Sequence, residues 1–283
     1  MRLTIHQSID GFLSIAEAAL GQNEVTNGLM LGIALRLRDD PMRFPQAPYL
    51  ATVQDADDLV AAGLMTPPHG LVVYAATAAP APAMRLLAQN LLEGRWPLPT
   101  VNGVADVSRL FAEQWRKLTG AAVEQLVAMR VFELRSVIPP APAPGLFRPA
   151  TLADADRVFD WFMAFHDEAL PKDVAPVRSG VDRTIGQGNI YLWEDRGEPV
   201  SMAGKGRRTP RGVSIGPVYT PPDRRGRGYA SACVAALSQH ILDEGKEFCT
   251  LFTDLANPTS NSIYQKIGYR PVCDFAQYAL RRE

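Results

Sequence analysis

The sequence predicts an α/β (α+β) protein of two domains, on three observations. At 283 residues the chain is long enough for two units of about 140 residues each. A proline- and alanine-rich run, "IPPAPAPGLF" from Ile138 to Phe147, divides it near the middle. On either side the same order recurs: two hairpin-linked strands, a third strand, a helix, a strand and a helix. That recurrence reads as a diverged internal duplication. The domains are therefore set at 1–138 and 147–283, with 139–146 as linker.

In the N-terminal half, "PYLATVQ" and "LVAAGLMT" are strands joined by the turn "DADD", and "PPHG" leads into a third strand, "LVVYAAT". "APAMRLLAQNLLEG" has helical spacing, "LPTVNG" is a short strand, and Val104 to Leu118 is a second helix. "AAVEQLVAMRVFELRSV" is a long strand or strand pair. Residues 1–20 are read only for a leader, and Asp10 and Glu17 interrupt any apolar core a secretory signal would need.

Alternating proline and alanine favours polyproline II, so Pro139 to Gly145 forms a semi-rigid spacer of roughly 20 Å. Thr151 and Asp154 have capping-box spacing, and Val158, Phe159, Phe162 and Phe165 supply a helical apolar face behind them. "NIYLWED", "VSMAGKGRR" and "VSIGPVYT" are strands, the last with a bulge or splay point at Gly216-Pro217. A helix runs from Gly228 to about Glu244. "FCTLFTD" is a buried strand, "NPTSNSIYQKIGY" a loop and short helix, and "RPVCDFAQYAL" closes the chain with strand pairs.

A net charge of -1 excludes a general nucleic-acid binder. No stretch approaches the roughly 20 apolar residues that span a bilayer. Cys233, Cys249 and Cys273 are an odd, dispersed set with apolar neighbours, as buried reduced thiols of a cytoplasmic protein are. The four histidines lack metal-ligand spacing, so no metal is expected.

The chemistry concentrates in "VYTPPDRRGRGYASACVAAL", Val218 to Leu237. Arg224, Arg225 and Arg227 surround Gly226 and Gly228 where a strand ends and a helix begins. Unpaired amides and the dipole at a helix start favour an anion. Glycine lets a phosphate approach those amides and tolerates positive φ. Neither a Walker loop nor a dinucleotide fingerprint is present.

Arg225-x-x-Gly228-x-Ala230 resembles the pyrophosphate-binding signature R/Q-x-x-G-x-G/A of the GCN5-related N-acetyltransferase (GNAT) superfamily. Asn257, Tyr264 and Gly268-Tyr269 are similar to its second signature, N-x6-Y-x3-G-[FY]. The resemblance covers about Arg148 to Glu283, and before Val137 it rests on element order alone. It implies two GNAT-like domains, each a mixed, mostly antiparallel sheet flanked by helices, with the active copy C-terminal.

By that resemblance acetyl-CoA is the cosubstrate. Amides of Gly226, Arg227, Gly228, Tyr229 and Ala230, with Arg225, would hold its pyrophosphate. Val218, Tyr219 and Thr220 would line its pantetheine arm as an added strand does. Asn257 and Asn261 would contact the arm, although either can also cap its loop. Tyr264 would be the general acid for the departing thiolate, and the amide of Val218 or Tyr219 would polarise the carbonyl. The acceptor would be a small-molecule primary amine, acetylated by direct transfer; an acyl-CoA sensor without turnover is the alternative.

No base stands out among Asp254, His166, Asp167 and Glu168. Trp161, Phe162 and Phe165 are acceptor-wall candidates whose spacing equally suits core. The N-terminal half has no equivalent signature, since "AAPAPAMRLL" follows its third strand. It would not bind CoA in the same way, and its role, like the oligomeric state, stays open.

Overall fold

The structure, a computed structural model, describes residues 1–44, 46–76, 81–171 and 174–281. The chain divides into two compact units, Met1–Val131 with Val272–Glu283, and Phe132–Pro271. The division falls inside a strand, so residues 132–146, linker included, are counted with the second unit and the last strand with the first.

The first unit is built from β1 (Arg2–Ile5), α1 (Ile9–Gln22), α2 (Glu24–Asp39), β2 (Tyr49–Asp55), β3 (Asp58–Met65), β4 (Leu71–Ala75), α3 (Ala81–Glu93), β5 (Thr100–Val104), α4 (Ala105–Thr119) and β6 (Ala122–Leu134). The second has β7 (Leu146–Pro149), α5 (Ala155–Ala169), α6 (Arg178–Gly186), β8 (Ile190–Asp195), β9 (Glu198–Arg208), β10 (Gly212–Tyr219), α7 (Tyr229–Asp243), β11 (Phe248–Asp254) and α8 (Pro258–Lys266), and is followed in the chain by β12 (Arg270–Arg281), which from Val272 on belongs to the first unit. The two lists are the same word, β-α-α-β-β-β-α-β-α-β. The repeat therefore extends further than the predicted strands and helices, because α1, α2 and α6 are added to it.

Pairing repeats as well. β1 to β4 are antiparallel neighbours and β4 meets β5 in parallel. β7 to β10 are antiparallel and β10 meets β11 in parallel. The final strands break the pattern. β12 is one strand of 12 residues rather than a set of strand pairs, and it runs antiparallel to β5 within the first unit. The end of β6, Phe132–Leu134, lies beside β11 in the second.

Each unit buries an apolar layer on both sheet faces, as helix-covered sheets must. In the first, Phe12, Leu13, Ala16 and Leu20 of α1 meet Leu50 and Leu64 on one face. Met84, Leu87, Phe111 and Trp115 of α3 and α4 fill the other. In the second, Val158, Trp161, Val181 and Ile185 of α5 and α6 pack on Ile190, Leu192 and Met202. Cys233, Val234, Leu237 and Ile241 of α7 pack on Val213, Ile215, Cys249 and Leu251. This second arrangement fixes where the predicted site lies.

The Thr151–Asp154 capping box forms. The linker does not stand free: Trp193 Nε1 donates to the Pro144 carbonyl at 2.9 Å. At Gly145, φ is +120°, and an added Cβ would lie 2.4 Å from the Glu194 carbonyl oxygen. The linker's end is thus seated on β8.

Candidate functional site

β10 carries the geometry that makes a slot. Its parallel pairing with β11 runs through Gly212–Phe248, Val213–Cys249 and Ser214–Thr250 and stops there, although both strands continue. On its other edge β10 stays paired to β9 as far as Tyr219–Met202, with a register shift between Ile215 and Val218. The bulge expected at Gly216-Pro217 lies in that shift. Beyond Ser214 the edge of β10 facing β11 is therefore free of a paired strand, and Val218 and Tyr219 lie on that stretch.

The strand ends in a fixed corner. Ser201 Oγ is 2.8 Å from Thr220 Oγ1 and donates to the Tyr219 carbonyl at 3.2 Å. Tyr219 is buried against Trp161, with ring centroids 6.2 Å apart, and burial raises its pKa.

After a 3-10 turn at Pro222–Arg224, the chain enters α7 through Gly226 (φ +76°) and Gly228 (φ +81°). Nothing lies within 4 Å of an added Cβ at Gly226, and at Gly228 the nearest atom is Ala143 Cβ at 3.6 Å. These glycines are required by backbone conformation, and the position a side chain would take at Gly226 is open. Gly228 caps the 15-residue α7 without a side-chain hydrogen bond, and the first turn holds no acid. The amides of Tyr229, Ala230 and Ser231 thus begin a helix with neither a side-chain capping oxygen nor an acid in its own first turn.

The arginines are less available than the sequence implies. Arg225 Nη2 is 2.7 Å from Glu168 Oε2 on α5, and Arg225 Nε donates to the Thr220 carbonyl at 2.8 Å. Arg224 pairs with Asp223 at 3.1 Å, and Arg227 Nη2 donates to the Asp223 carbonyl at 3.4 Å. Tyr229 is turned inward, its hydroxyl donating to Asp195 at 2.6 Å. The donors left unengaged at this helix start are mainly backbone amides, and the guanidinium groups shape the loop. Arg224 and Arg227, with Pro144, Asp195, Arg196, Glu198 and Tyr229, line a cavity of about 410 Å³ beside it.

Tyr264 lies on α8 and packs against the α7-side core, its ring 5.9 Å from that of Tyr269. Burial pushes its pKa up to about 12, so the phenol keeps its proton across the physiological range. Asn257 and Asn261 take their capping roles. Asn257 Oδ1 accepts the Ser260 amide at 3.0 Å, and Asn261 Nδ2 donates to the carbonyls of Asp254 (3.1 Å) and Asn257 (2.9 Å). Asn261 Oδ1 also accepts from the Thr253 hydroxyl.

The base candidates are similarly engaged. Asp254 Oδ1 accepts the Ala256 amide at 2.8 Å, Glu168 holds Arg225, and His166 Nδ1 lies 3.2 Å from Asp167. Trp161 is core, with Phe162 and Phe165 packed against the same cluster. The Arg225–Glu168 pair is a structural partnership that the sequence did not signal, because its members lie 57 positions apart.

Residues 195–278, which span the loop, α7, β11 and α8, match a protein-family model described as FR47-like protein. No curated protein matches the chain. Among solved structures it is similar to a GNAT-family acetyltransferase from Colwellia psychrerythraea (TM-score 0.62, 10% identity, covering 99% of this chain and 100% of that one). It is also similar to a Drosophila protein (TM-score 0.67, 13% identity, 99% and 98%). A third is a tandem GNAT protein from the clavulanic acid biosynthesis pathway (TM-score 0.59, 12% identity, 98% of both chains). At these identities the likeness is one of fold.

Proposed function

From the premise that the chain is a tandem GNAT-fold protein, we propose that it is an N-acetyltransferase whose C-terminal unit does the work. It moves an acetyl group from acetyl-CoA to the primary amine of a small molecule by direct transfer. The observation that carries this reading is the glycine-entered, uncapped start of α7 at the end of a strand whose parallel partner has separated from it. A pyrophosphate fits there because open space, first-turn amides and the helix dipole coincide.

Acetyl-CoA supplies the activated thioester. The amides from Gly226 to Ala230 hold its pyrophosphate, and the free edge of β10 at Val218, Tyr219 and Thr220 receives the pantetheine arm by strand-like hydrogen bonds. An amide of Val218 or Tyr219 donates to the acyl oxygen. Tyr264 Oη, protonated at neutral pH, gives its proton to the departing sulfur. Asn257 and Asn261 support the site by fixing the loop before α8, with any contact to the arm made beside those caps.

No nucleic acid or membrane enters this reading, and no described helix is long and apolar enough to cross a membrane. A reducing, cytoplasmic setting suits the three free cysteines. A second reading, an acyl-CoA sensor without turnover, draws on the engagement of Asp254 and Glu168, which leaves neither carboxylate as a free base.

Calorimetric titration with acetyl-CoA, of the wild type and of Gly228→Trp, tests the proposal. Micromolar binding at one site per chain, abolished by the substitution, is the expected result. No binding by the wild type would sink it. Binding without acetylation of any amine in a broad panel would select the sensor.

A further inference from the structure

Arg207, near the end of β9, is a cation without a counter-charge among the described residues. It forms no ion pair there, and its Nε–H is sealed from solvent with no acceptor. Burial lowers its pKa to about 10, so it remains charged at neutral pH. Arg207 is part-buried as a whole, but a sealed guanidinium N–H with no acceptor is costly unless an anion completes it. Lys205, two residues earlier, shows the usual solution: its ammonium is buried and bound to both oxygens of Glu244, at 2.7 and 2.8 Å.

The position of Arg207 relative to the slot gives this meaning. Val213, Ile215, Cys249 and Leu251 face α7. By strand alternation Thr250 and Phe252 face the opposite way. The Arg207 guanidinium lies 5.8 Å from the centroid of the Phe252 ring, so it is on that opposite face. Phe252 is two residues past Thr250, the last residue of β11 paired with β10, and hence lies where the strands part. Glu133 of β6 also alternates to this face, because Phe132 and Leu134 belong to the α7-side core; its Oε1 lies 2.7 Å from Arg135 Nη2 as an ion pair, without a hydrogen bond.

We propose that Arg207 selects the acceptor, and that the acceptor is an amine carrying an oxyanion, a carboxylate or a phosphate, which the guanidinium binds on the face of the β10–β11 opening away from α7. The inference rests on the acetyltransferase reading. The pyrophosphate site lies at the start of α7, and α7 covers one face of the opening, which leaves the other for the amine. An arginine, with planar bidentate donors, suits a carboxylate or phosphate better than a point charge does.

The test compares matched acceptors with acetyl-CoA: phenylalanine against phenylalaninamide, and O-phosphoethanolamine against ethanolamine. It uses the wild type, Arg207→Met and Arg207→Lys, with acetyl-CoA binding measured on each. The wild type should prefer the anionic member of at least one pair, and which pair identifies the oxyanion. Arg207→Met should lower that kcat/KM ratio by about 10- to 100-fold, the scale of one charge-assisted hydrogen bond, with acetyl-CoA binding unchanged. Arg207→Lys, a point charge in place of the bidentate fork, should keep only part of it and so lower the ratio by a smaller factor.

A merely structural Arg207 would lower both members of a pair alike, leaving the ratio unmoved, and that overturns the proposal. So does a wild type that acetylates no anionic member. Should the Met variant not fold, the wild-type ratio and the Lys variant decide. Failure of the wild type to bind acetyl-CoA would remove the underlying reading and this one together, and the binding arm separates that case from the others.

Discussion

The junction β4–α3 of the first unit and the junction β10–α7 of the second hold the same place in the repeat, yet they are built differently. Both follow a strand in parallel register with the next strand of the repeat, β5 or β11. In the second, register ends at Ser214–Thr250 and the loop enters α7 through two glycines at positive φ. In the first, pairing at Leu71–Val101 and Val72–Asn102 is followed by close approach: a Cβ at Gly103 would lie 2.8 Å from the Val73 carbonyl oxygen. α3 begins with Ala81-Pro82, and residues 77–80, which include the first three of "AAPAPAMRLL", lie outside the described residues. A shared topology thus sets the position of a helix start, while strand separation and loop glycines decide what can be held there.

The largest effect should come from Tyr264, part of a signature that the first unit lacks. Tyr264→Phe removes a proton donor and should lower kcat by about 100-fold while leaving acetyl-CoA affinity unchanged. The pH dependence sharpens this. Burial disfavours the phenolate and moves the pKa up to about 12, so the acid form persists well above pH 10. The rate should hold on the alkaline side to at least pH 10. A fall in kcat centred below that, absent from Tyr264→Phe, would contradict the environment described for this hydroxyl.

Breaking the close approach in the first unit should give a smaller effect of another kind. Gly103→Ala places a methyl group against the Val73 carbonyl and 3.0 Å from Val73 Cγ2. Backbone must shift, at a cost of about 1–3 kcal/mol in denaturant unfolding. Acetyl-CoA should still bind at one site per chain with unaltered affinity, because the proposed pyrophosphate site lies in the other unit. A loss of binding equal to that of Gly228→Trp would place the site in the first unit instead.

The second junction was legible because its demands are local. Positive φ at Gly226 and Gly228, and the spacing from Asn257 to Tyr264, can be written in a few adjacent letters. α1 was equally readable, with Phe12, Leu13, Ala16 and Leu20 on one helical face behind the N-cap Ser8, but a reading aimed only at a leader passes over it. α6 offers little, since Val181 and Ile185 are its only buried residues.

The remaining features are nonlocal. Nothing in "RPVCDFAQYAL" says that its partner is β5, about 175 positions earlier in register (Gln277–Asn102). Alternation along β9 would put Lys205 and Arg207 on one face. Instead Arg208 pairs with Val213 and Lys205 with Ile215, which inserts one residue and turns Arg207 to the other face. The residue with the clearest unmet chemistry is therefore one whose orientation only the sheet reveals.

The smallest effect belongs to the corner that opens the second unit. Arg148 bonds both oxygens of Asp154 at 2.9 Å and Glu194 at 2.6 Å, and Asp154 also accepts the Thr151 amide at 2.8 Å. The Arg148 guanidinium, then these Thr151 bonds, hold the Asp154 pKa down to about 2. A depressed carboxylate pKa contributes stability that is present above the unfolded value near 4 and lost as pH falls through about 2. Arg148→Met should cost about 1 kcal/mol at neutral pH once screening by solvent is allowed for. The gap between variant and wild type should close between pH 4 and 2, because protonation then removes the same interaction from both. A gap that stays constant over that range would mean that Arg148 stabilises the corner by packing alone. The capping box at Thr151 would then be the sole reason for the depressed carboxyl.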